Sequence, residues 1–222
     1  MRAVTPARGS HSPGSFWYYN NWDFNALGTV FEKQTETGIA TALRDRIAEP
    51  IGMQDFRLED LYYQYSPPGA PDFARSTHRA YPIRLSARDM ARFGYPFLRL
   101  GNWNGNQIVP REWVAESTRA HAKAGKDRYT EAGPKNPWSG EGYAYCRWVD
   151  GFNLPVKSFR ARGAMAKYIV AVPARDLVLV YRNHAESPDD SSKLTAEECA
   201  ELPAPAGSQI ERLFNLILQA RS

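Results

Sequence analysis

The sequence has few of the residues that bind metals or form disulfides. Among its 222 residues are two cysteines, Cys146 and Cys199, and four histidines. Two cysteines cannot build a disulfide framework or a four-cysteine zinc site. No two histidines stand three or four positions apart, and none neighbours a cysteine at ligand spacing. We therefore expect neither a metal centre nor a disulfide framework.

Long apolar runs and nucleotide-binding loops are also missing. The longest apolar stretches, Tyr168–Pro173 and Leu177–Tyr181, are far shorter than the roughly 20 residues that cross a bilayer, so we expect no membrane span. Neither Gly-x-x-x-x-Gly-Lys-Ser/Thr nor Gly-x-Gly-x-x-Gly occurs, which argues against nucleotide chemistry. With no metal motif either, the sequence predicts no cofactor.

Charge of one sign is not concentrated in any stretch. The net charge of +4 arises from 28 basic and 24 acidic residues spread along the chain. Without a basic stripe interleaved with aromatics, we expect no nucleic-acid partner. Hydrophobic residues make up 43% of the chain, as in ordinary globular proteins. The aromatic share of 13% fits either a ring-rich core or an aromatic substrate groove, and composition does not separate the two.

Helical periodicity dominates the first part of the chain, and strand-like patterns follow near residue 142. Helices are predicted over Trp22–Lys33, Ile39–Ala48, a segment opened by Ser86, a segment that Pro110 starts, and Ser208–Ala220. Strands are predicted over Gly142–Val149, Lys157–Arg162, Lys167–Val172 and Leu177–Arg182. Their short connections favour antiparallel pairing. The fold class is therefore α+β, with a helical region over 1–128 and an antiparallel sheet with the last helix over 129–222.

Two serine-nucleophile motifs are absent from this sequence. There is no Gly-x-Ser-x-Gly elbow, and no serine has a lysine three positions later. The most informative stretch is instead the aromatic loop around Tyr19–Asn21, which precedes the first predicted helix. A phenol and a carboxamide two residues apart fit a catalytic turn. They also fit an aromatic loop whose asparagines cap the following helix, and the loop taken alone favours this second interpretation.

Four stretches of the sequence, this loop among them, match one known superfamily in their order and spacing. Tyr19–Asn21 resembles the Tyr-x-Asn loop of the serine β-lactamase and penicillin-binding-protein superfamily, especially its class C-like esterases and amidases. The three others resemble, in order, its Pro-Leu-Gly-Met helix end, its Ser-x-x-Asp-x-Ala helix and the strand that holds its third active-site motif: Ile47–Met53, Arg84–Gly94 and Phe159–Ala164. The resemblance covers roughly residues 10 to 220.

The resemblance implies a β-lactamase-like fold, with the site between a helical region and an antiparallel sheet. It implies a hydrolase in which a serine attacks an ester or amide carbonyl, an acyl-enzyme forms, and water releases it. β-Lactams, esters, D-amino peptides and 6-aminohexanoate oligomers all fit this scaffold. The partner implied is a small-molecule ester or amide substrate.

The site residues follow from the same resemblance. Tyr19 would be the general acid and base, and needs a nearby cation because a free phenol has a pKa near 10. Asn21 would hold the substrate carbonyl or a lysine amine. Gly163 would let the substrate backbone approach, and the amide of Ala164 would donate to the oxyanion. Relatives carry Lys-Thr-Gly or His-x-Gly where this chain has Ala161–Gly163, so Arg162 is either a replacement cation or a surface strand residue.

The superfamily's Ser-x-x-Lys lies upstream of the Tyr-x-Asn loop. We therefore expect the chain to be the C-terminal portion of a larger serine hydrolase, with the nucleophile outside it. An incomplete fold would leave a sheet edge exposed, so we expect self-association. Two other hypotheses stay open: a catalytically inactive binding module that keeps the aromatic cleft, and an interaction fragment with no small-molecule site.

Overall fold

The chain folds into a six-stranded antiparallel sheet with helices on both faces. The structure, a computed structural model, describes residues 7–19, 21–64, 77–123, 142–150, 154–163, 167–182 and 207–220. The α+β class and the antiparallel pairing are confirmed. Ala164 lies outside the described residues.

Helices and short turns make up the first half. The α-helices are α1 (Asn21–Thr35), α2 (Ile39–Leu43), α3 (Ala87–Leu98) and α4 (Arg111–Ser117), and a last one, α5 (Gly207–Gln219), follows the sheet. The predicted helix over 39–48 is split, because α2 continues as a π-helix over Arg44–Ala48. A 3-10 turn occupies Leu58–Asp60, and another, Pro173–Arg175, lies between the last two strands.

The strands follow one another in the sheet in chain order. A separate two-stranded ribbon pairs β1 (Asn102–Trp103) with β2 (Asn106–Gln107). The main sheet has the order β3-β4-β5-β6-β7-β8, every pair antiparallel: Ala122–Lys123, Gly142–Ala144, Arg147–Val149, Phe159–Gly163, Lys167–Val172 and Leu177–Tyr181. Because β3 precedes residue 129, the sheet begins before the predicted boundary at 128/129, and the division into two regions stays a prediction.

One strand prediction was wrong. The stretch Gly142–Val149 was expected as a single strand, but it forms the hairpin β4–β5, in which Tyr143 pairs with Trp148. The chain reverses at Cys146, whose φ is +56°. No glycine or asparagine marks this turn, so the sequence carried no turn signal there.

The two faces of the sheet are set by register. Directly paired residues point to the same face, and neighbours along a strand alternate. Helix α5 covers one face, where it forms the main core with β7 and β8: Tyr168, Val170, Val172, Leu179, Ile210, Phe214 and Leu218. Leu213 of α5 lies outside this core and is 41% exposed.

Helix α3 covers the opposite face. Its Ser86 cap accepts a hydrogen bond from the Asp89 amide, as predicted. Gly94 lies against Ile169 and Val178, so the helix approaches β7 and β8 closely. The face towards α5 and the face towards α3 are therefore two separate environments, and β6 contributes alternate residues to each.

The connection that precedes α3 is held by one buried carboxylate. Asp89 has no exposed surface. Its carboxylate accepts hydrogen bonds from the backbone amides of Gln54, Asp55 and Phe56 at 2.9, 2.9 and 3.0 Å. The residues that directly follow the motif stretch Ile47–Met53 thus contact the motif stretch Arg84–Gly94. Their joint role is structural: they fix how the first helices sit against α3.

Candidate active site

The predicted loop brings Tyr19 onto a group of rings beside β4 and β5. Its ring stacks near Trp148 with centroids 6.0 Å apart, and lies 6.2 Å from Tyr143 and 5.6 Å from Phe24. Trp17 completes this aromatic cluster, 5.2 Å from Tyr143. Trp148 is buried, while Trp17 and Tyr19 are half-buried. The cluster is therefore part core and part accessible wall.

The pKa of Tyr19 is set by two opposing effects. Burial among the rings is the larger effect and raises the pKa of the phenol above its ordinary value. The positive charge of Arg162 opposes this and lowers it, whereas Cys146 raises it. Because the net direction is upward, the phenol is protonated near neutral pH. In this state Tyr19 is a proton donor rather than a base.

Asn21 is the first residue of α1 and is exposed. Its side chain makes no hydrogen bond to the residues that the structure describes. The alternative reading, in which the loop's asparagines cap the helix, rests on Asn20, which lies outside the described residues. Asn21 stands two residues after Tyr19 in the sequence and is exposed to solvent, and its role in a site stays a prediction.

Strand β6 presents its third-motif residues to different sides. Arg162 pairs with Tyr168, and its guanidinium carbon lies 5.9 Å from that ring's centroid. Ala161 points to the α3 face, where it lines a cavity. A Cβ built at Gly163 would meet only ordinary contacts, the nearest being the Lys167 Cβ at 3.4 Å. The strand edge at Gly163 is thus uncrowded by the described residues.

Lys167 is a functional candidate that the sequence reasoning missed. It pairs directly with Gly163. Burial, followed by the nearby positive charge of Arg182, lowers the pKa of its amine. The signal in the sequence was a single cation that opens an otherwise apolar strand, Lys167–Val172, directly after the third-motif stretch. Only the pairing of β6 with β7 connects that cation to the site.

A cavity of about 220 Å³ lies between α3 and the sheet. It is lined by side chains of α3 and by residues of β5, β6 and β7. Cys146 and Arg147, at the β4–β5 turn, also line it. Cys146 is an exposed residue, yet the atoms packed around its sulfur desolvate it enough to raise the pKa of the thiol. Neither residue was singled out from the sequence.

Metal and membrane features are not seen in the described part of the chain. There, no three histidine, cysteine, aspartate or glutamate side chains converge as a metal site requires. The described helices also include none with the length and apolar character needed to cross a bilayer.

Comparison with known proteins decides the family. The sequence model of the Beta-lactamase family matches residues 1–200. The chain belongs to the β-lactamase family. This confirms the superfamily that the four motif stretches resemble, and with it the hydrolase character of the family. A search of curated proteins finds no match to the chain.

One solved structure agrees with this chain at the level of the fold, and a second is reported beside it. A provisionally named 6-aminohexanoate-dimer hydrolase from Bacillus anthracis superposes with a TM-score of 0.61 over 95% of this chain, at 20% sequence identity. The chain covers 45% of that protein, and so spans less than half its length. A provisionally named β-lactamase from Bacteroides dorei DSM 17855 gives a TM-score of 0.49 at 14% identity, over 79% of this chain and 54% of that one. The first likeness concerns the fold alone.

Proposed function

We propose that this β-lactamase-family chain is part of a serine hydrolase that cleaves esters or amides through an acyl-enzyme. The observation that supports it best is electrostatic. Arg162 of β6 lies near enough to Tyr19 of the N-terminal loop to lower the pKa of its phenol, although the two are far apart in the sequence. A phenol near a cation is the acid–base arrangement that the family resemblance implies for Tyr19.

The roles of the remaining residues follow from their placement. Asn21 holds the substrate carbonyl from the start of α1. Gly163 gives the substrate room at the end of β6, and the amide of Ala164, the next residue, donates to the oxyanion. Arg162 is the replacement cation for the Ala161–Gly163 stretch. The serine nucleophile and its lysine come from a segment outside the printed sequence, since no Ser-x-x-Lys occurs in it.

The raised pKa of Tyr19 is compatible with this proposal. Burial outweighs the effect of Arg162, so the phenol of the described chain keeps its proton. A second cation, the lysine amine of the nucleophile segment, would lower the pKa further and let the phenol accept the serine proton. The breaking of the substrate bond would then use the same phenol as the acid that protonates the leaving group.

A fluorophosphonate probe followed by intact-mass measurement tests the proposal on two proteins. One is the 222-residue chain, and the other is a longer polypeptide expressed with the DNA upstream of the Met1 codon. We expect no stoichiometric serine adduct on the 222-residue chain, and one adduct with ester hydrolysis on the longer protein. A stoichiometric adduct on a serine within 1–222, or no hydrolysis by either protein, would contradict it.

The same assay tests the role of Tyr19. In the longer protein, Tyr19→Phe is expected to lower kcat by roughly a hundredfold or more, because a positioned acid–base group contributes at least that much. Tyr18→Phe is the matched control, since it removes a neighbouring phenol with no proposed role. Equal losses in the two variants would exclude an acid–base role for Tyr19.

The alternative is a binding module without turnover. It is favoured by two features of the sequence: the lack of a Ser-x-x-Lys and the alanine at position 161, where relatives carry a cation. A longer protein that binds acyl ligands but neither reacts with the probe nor hydrolyses esters would favour this function over the hydrolase.

A further inference from the structure

The cavity beneath α3 is largely apolar, and two arginines, Arg147 and Arg160, are among its lining residues. Its walls are mainly rings and aliphatic side chains, among them Phe93, Phe97, Phe159, Ile169 and Ala171. A cavity of about 150 Å³ in another protein holds one benzene molecule. The chamber beneath α3, at about 220 Å³, therefore has room for a ring or short chain together with a small polar group.

The arginine whose side chain faces the cavity is Arg147, the first residue of β5. Arg160 pairs with Val170 of the α5 core, so its side chain points to the opposite face of the sheet. The guanidinium carbon of Arg147 lies 4.4 Å from the centroid of the Phe97 ring, which belongs to α3. Its Nε donates to the carbonyl of Tyr145 at 3.3 Å. Burial lowers the pKa of this guanidinium from its ordinary value. An arginine side chain nevertheless keeps its positive charge in proteins. Arg147 is thus a partly buried cation that the described residues hold through one backbone hydrogen bond and one ring face.

No carboxylate in the described residues pairs with Arg147. The ion pairs among those residues involve other cations: Arg44, Arg92, Arg99, Arg119 and His121. Cys146 does not supply the missing charge. Burial raises the pKa of its thiol and outweighs the opposing charge of Arg147, while Asp23 also raises it, so the thiol keeps its proton near neutral pH. A partly buried guanidinium gains most from a carboxylate, which it can bind through two parallel N–H donors.

We propose that the α3 cavity is a binding site for a small carboxylate with an apolar body, in which Arg147 pairs with the carboxylate and the rings enclose the body. Charge complementarity selects this occupant. A neutral apolar molecule would fill the chamber but leave the guanidinium desolvated and unpaired. An inorganic anion would pair with the guanidinium but leave the rings empty.

The site also touches the proposed catalytic strand. Ala161, which precedes the Arg162–Gly163 pair of β6, lines the same cavity. The cavity and the Tyr19 cluster nevertheless lie on opposite faces of the sheet, because Ala161 points to the α3 face whereas Arg162 pairs with Tyr168 of the α5 core. The inference therefore stands apart from the proposed hydrolase site.

Isothermal titration calorimetry on the chain tests the site without any turnover. The probes are 3-phenylpropionate and its neutral isostere 3-phenylpropanamide, which differ in the carboxylate alone. We expect the acid to bind at least about tenfold more tightly, since a charge-assisted hydrogen bond is worth about 1.5–3 kcal/mol.

Three variants locate the effect. Arg147→Met keeps an apolar contact with Phe97 and is expected to bring the acid down to the affinity of the amide. Ala161→Leu adds volume at an exposed position of the cavity wall and is expected to weaken both probes severalfold. Arg84→Met is the matched control: it removes an arginine that also lies over a ring, 4.9 Å from the centroid of Tyr62, but outside the cavity lining. Melting temperatures verify that each variant is folded.

Two results would overturn the inference. One is equal binding of acid and amide to the unmodified chain, or no binding of either. The other is an Arg84→Met variant that loses the acid as strongly as Arg147→Met does. If Arg147→Met fails to fold, Ala161→Leu decides, because unchanged affinities in it would place the ligands elsewhere. The fluorophosphonate assay does not depend on this cavity, so failure here leaves the hydrolase proposal standing.

Discussion

At the scale of single residues, the candidate site is governed by competition between burial and charge. Tyr19 gains a cation, Arg162, and loses water, and the loss of water has the larger effect on its pKa. Lys167 and Cys146 follow the same rule: burial lowers the pKa of the lysine amine and raises that of the thiol, in each case favouring the neutral form. Burial therefore shifts each of these three groups towards its neutral form.

The influence of Arg162 on Tyr19 is directly measurable. Arg162→Gln removes the charge that favours phenolate, so the pKa of Tyr19 is expected to rise further. A carbon-13 NMR titration of labelled tyrosine in the folded chain measures this pKa. Arg175→Gln, which removes an exposed arginine from the turn before β8, is the control and should leave it unchanged. An unaltered or lowered pKa in Arg162→Gln would show that the two groups do not interact.

At the scale of elements, one polar residue, Asp89, and one small residue, Gly94, fix how α3 meets its neighbours. Asp89 joins the start of α3 to the segment that follows the π-helix, through its three backbone hydrogen bonds. Arg92, one turn on, lies 3.8 Å from the same carboxylate. Gly94 sets the distance between α3 and the sheet. Both residues belong to the Ser-x-x-Asp stretch, which explains that stretch as a packing device.

Replacing Asp89 is expected to loosen the connection before α3. Asp89→Asn turns one acceptor oxygen into an NH₂ donor that faces backbone N–H groups, leaving buried donors unsatisfied. We expect the free energy of unfolding to fall by about 2–3 kcal/mol. Urea denaturation measures it. Asp45→Asn, at an exposed position of the π-helix, serves as control and should change stability by less than about 0.5 kcal/mol. Comparable losses in both would remove the special role of Asp89.

Gly94→Ala tests the close packing of α3. The added Cβ would lie 2.7 Å from Val178 Cγ1 and 2.8 Å from Ile169 Cγ2. We expect a loss of about 1–3 kcal/mol in the free energy of unfolding, despite the better helix propensity of alanine. The double variant with Val178→Ala should regain part of it, since it removes one clashing side chain. Gly38→Ala, where a Cβ has no neighbour nearer than 3.9 Å, is the control. A stabilised Gly94→Ala would mean that α3 stands further from the sheet.

At the scale of the whole molecule, the sheet ends in a strand with one partner. Among the described residues β8 pairs with β7 alone, and its sequence, Leu177–Tyr181, contains no charge and no proline. Such an edge is a template for pairing with another chain. Exposed apolar side chains on α1, Leu27 and Val30, are 53% and 54% exposed and add a second apolar surface. Self-association stays a prediction, and β8 is the place we assign to it.

Sedimentation velocity over a range of concentrations measures this association. Val180→Lys puts a charge on the edge strand and is expected to shift the chain towards monomer. Val30→Lys makes the same change on the exposed surface of α1, and should leave the association as it was. A monomer at every concentration, or an equal shift in the two variants, would exclude the β8 edge as the contact.

The elements were predictable wherever a local pattern had one physical meaning. Lys167–Val172 was placed without error because an apolar strand lies between two turns. The β4–β5 hairpin was missed because Cys146 adopts a positive φ without any local signal. Helix α1 forms as predicted, but Leu27 and Val30 are exposed, and its buried side is at Gly28, which packs against Tyr81.

The sequence by itself determined the family and the antiparallel order of β6, β7 and β8, because short connections and four motif stretches are local properties of the chain. It also singled out Tyr19, Asn21, Arg162 and Gly163 as site candidates. Only the tertiary structure decided how the charges act. Whether Tyr19 is acid or base, and whether Arg147 meets a carboxylate, depends on water excluded and on groups brought together from distant segments. Burial and electrostatic contact are set by packing, which no local pattern contains.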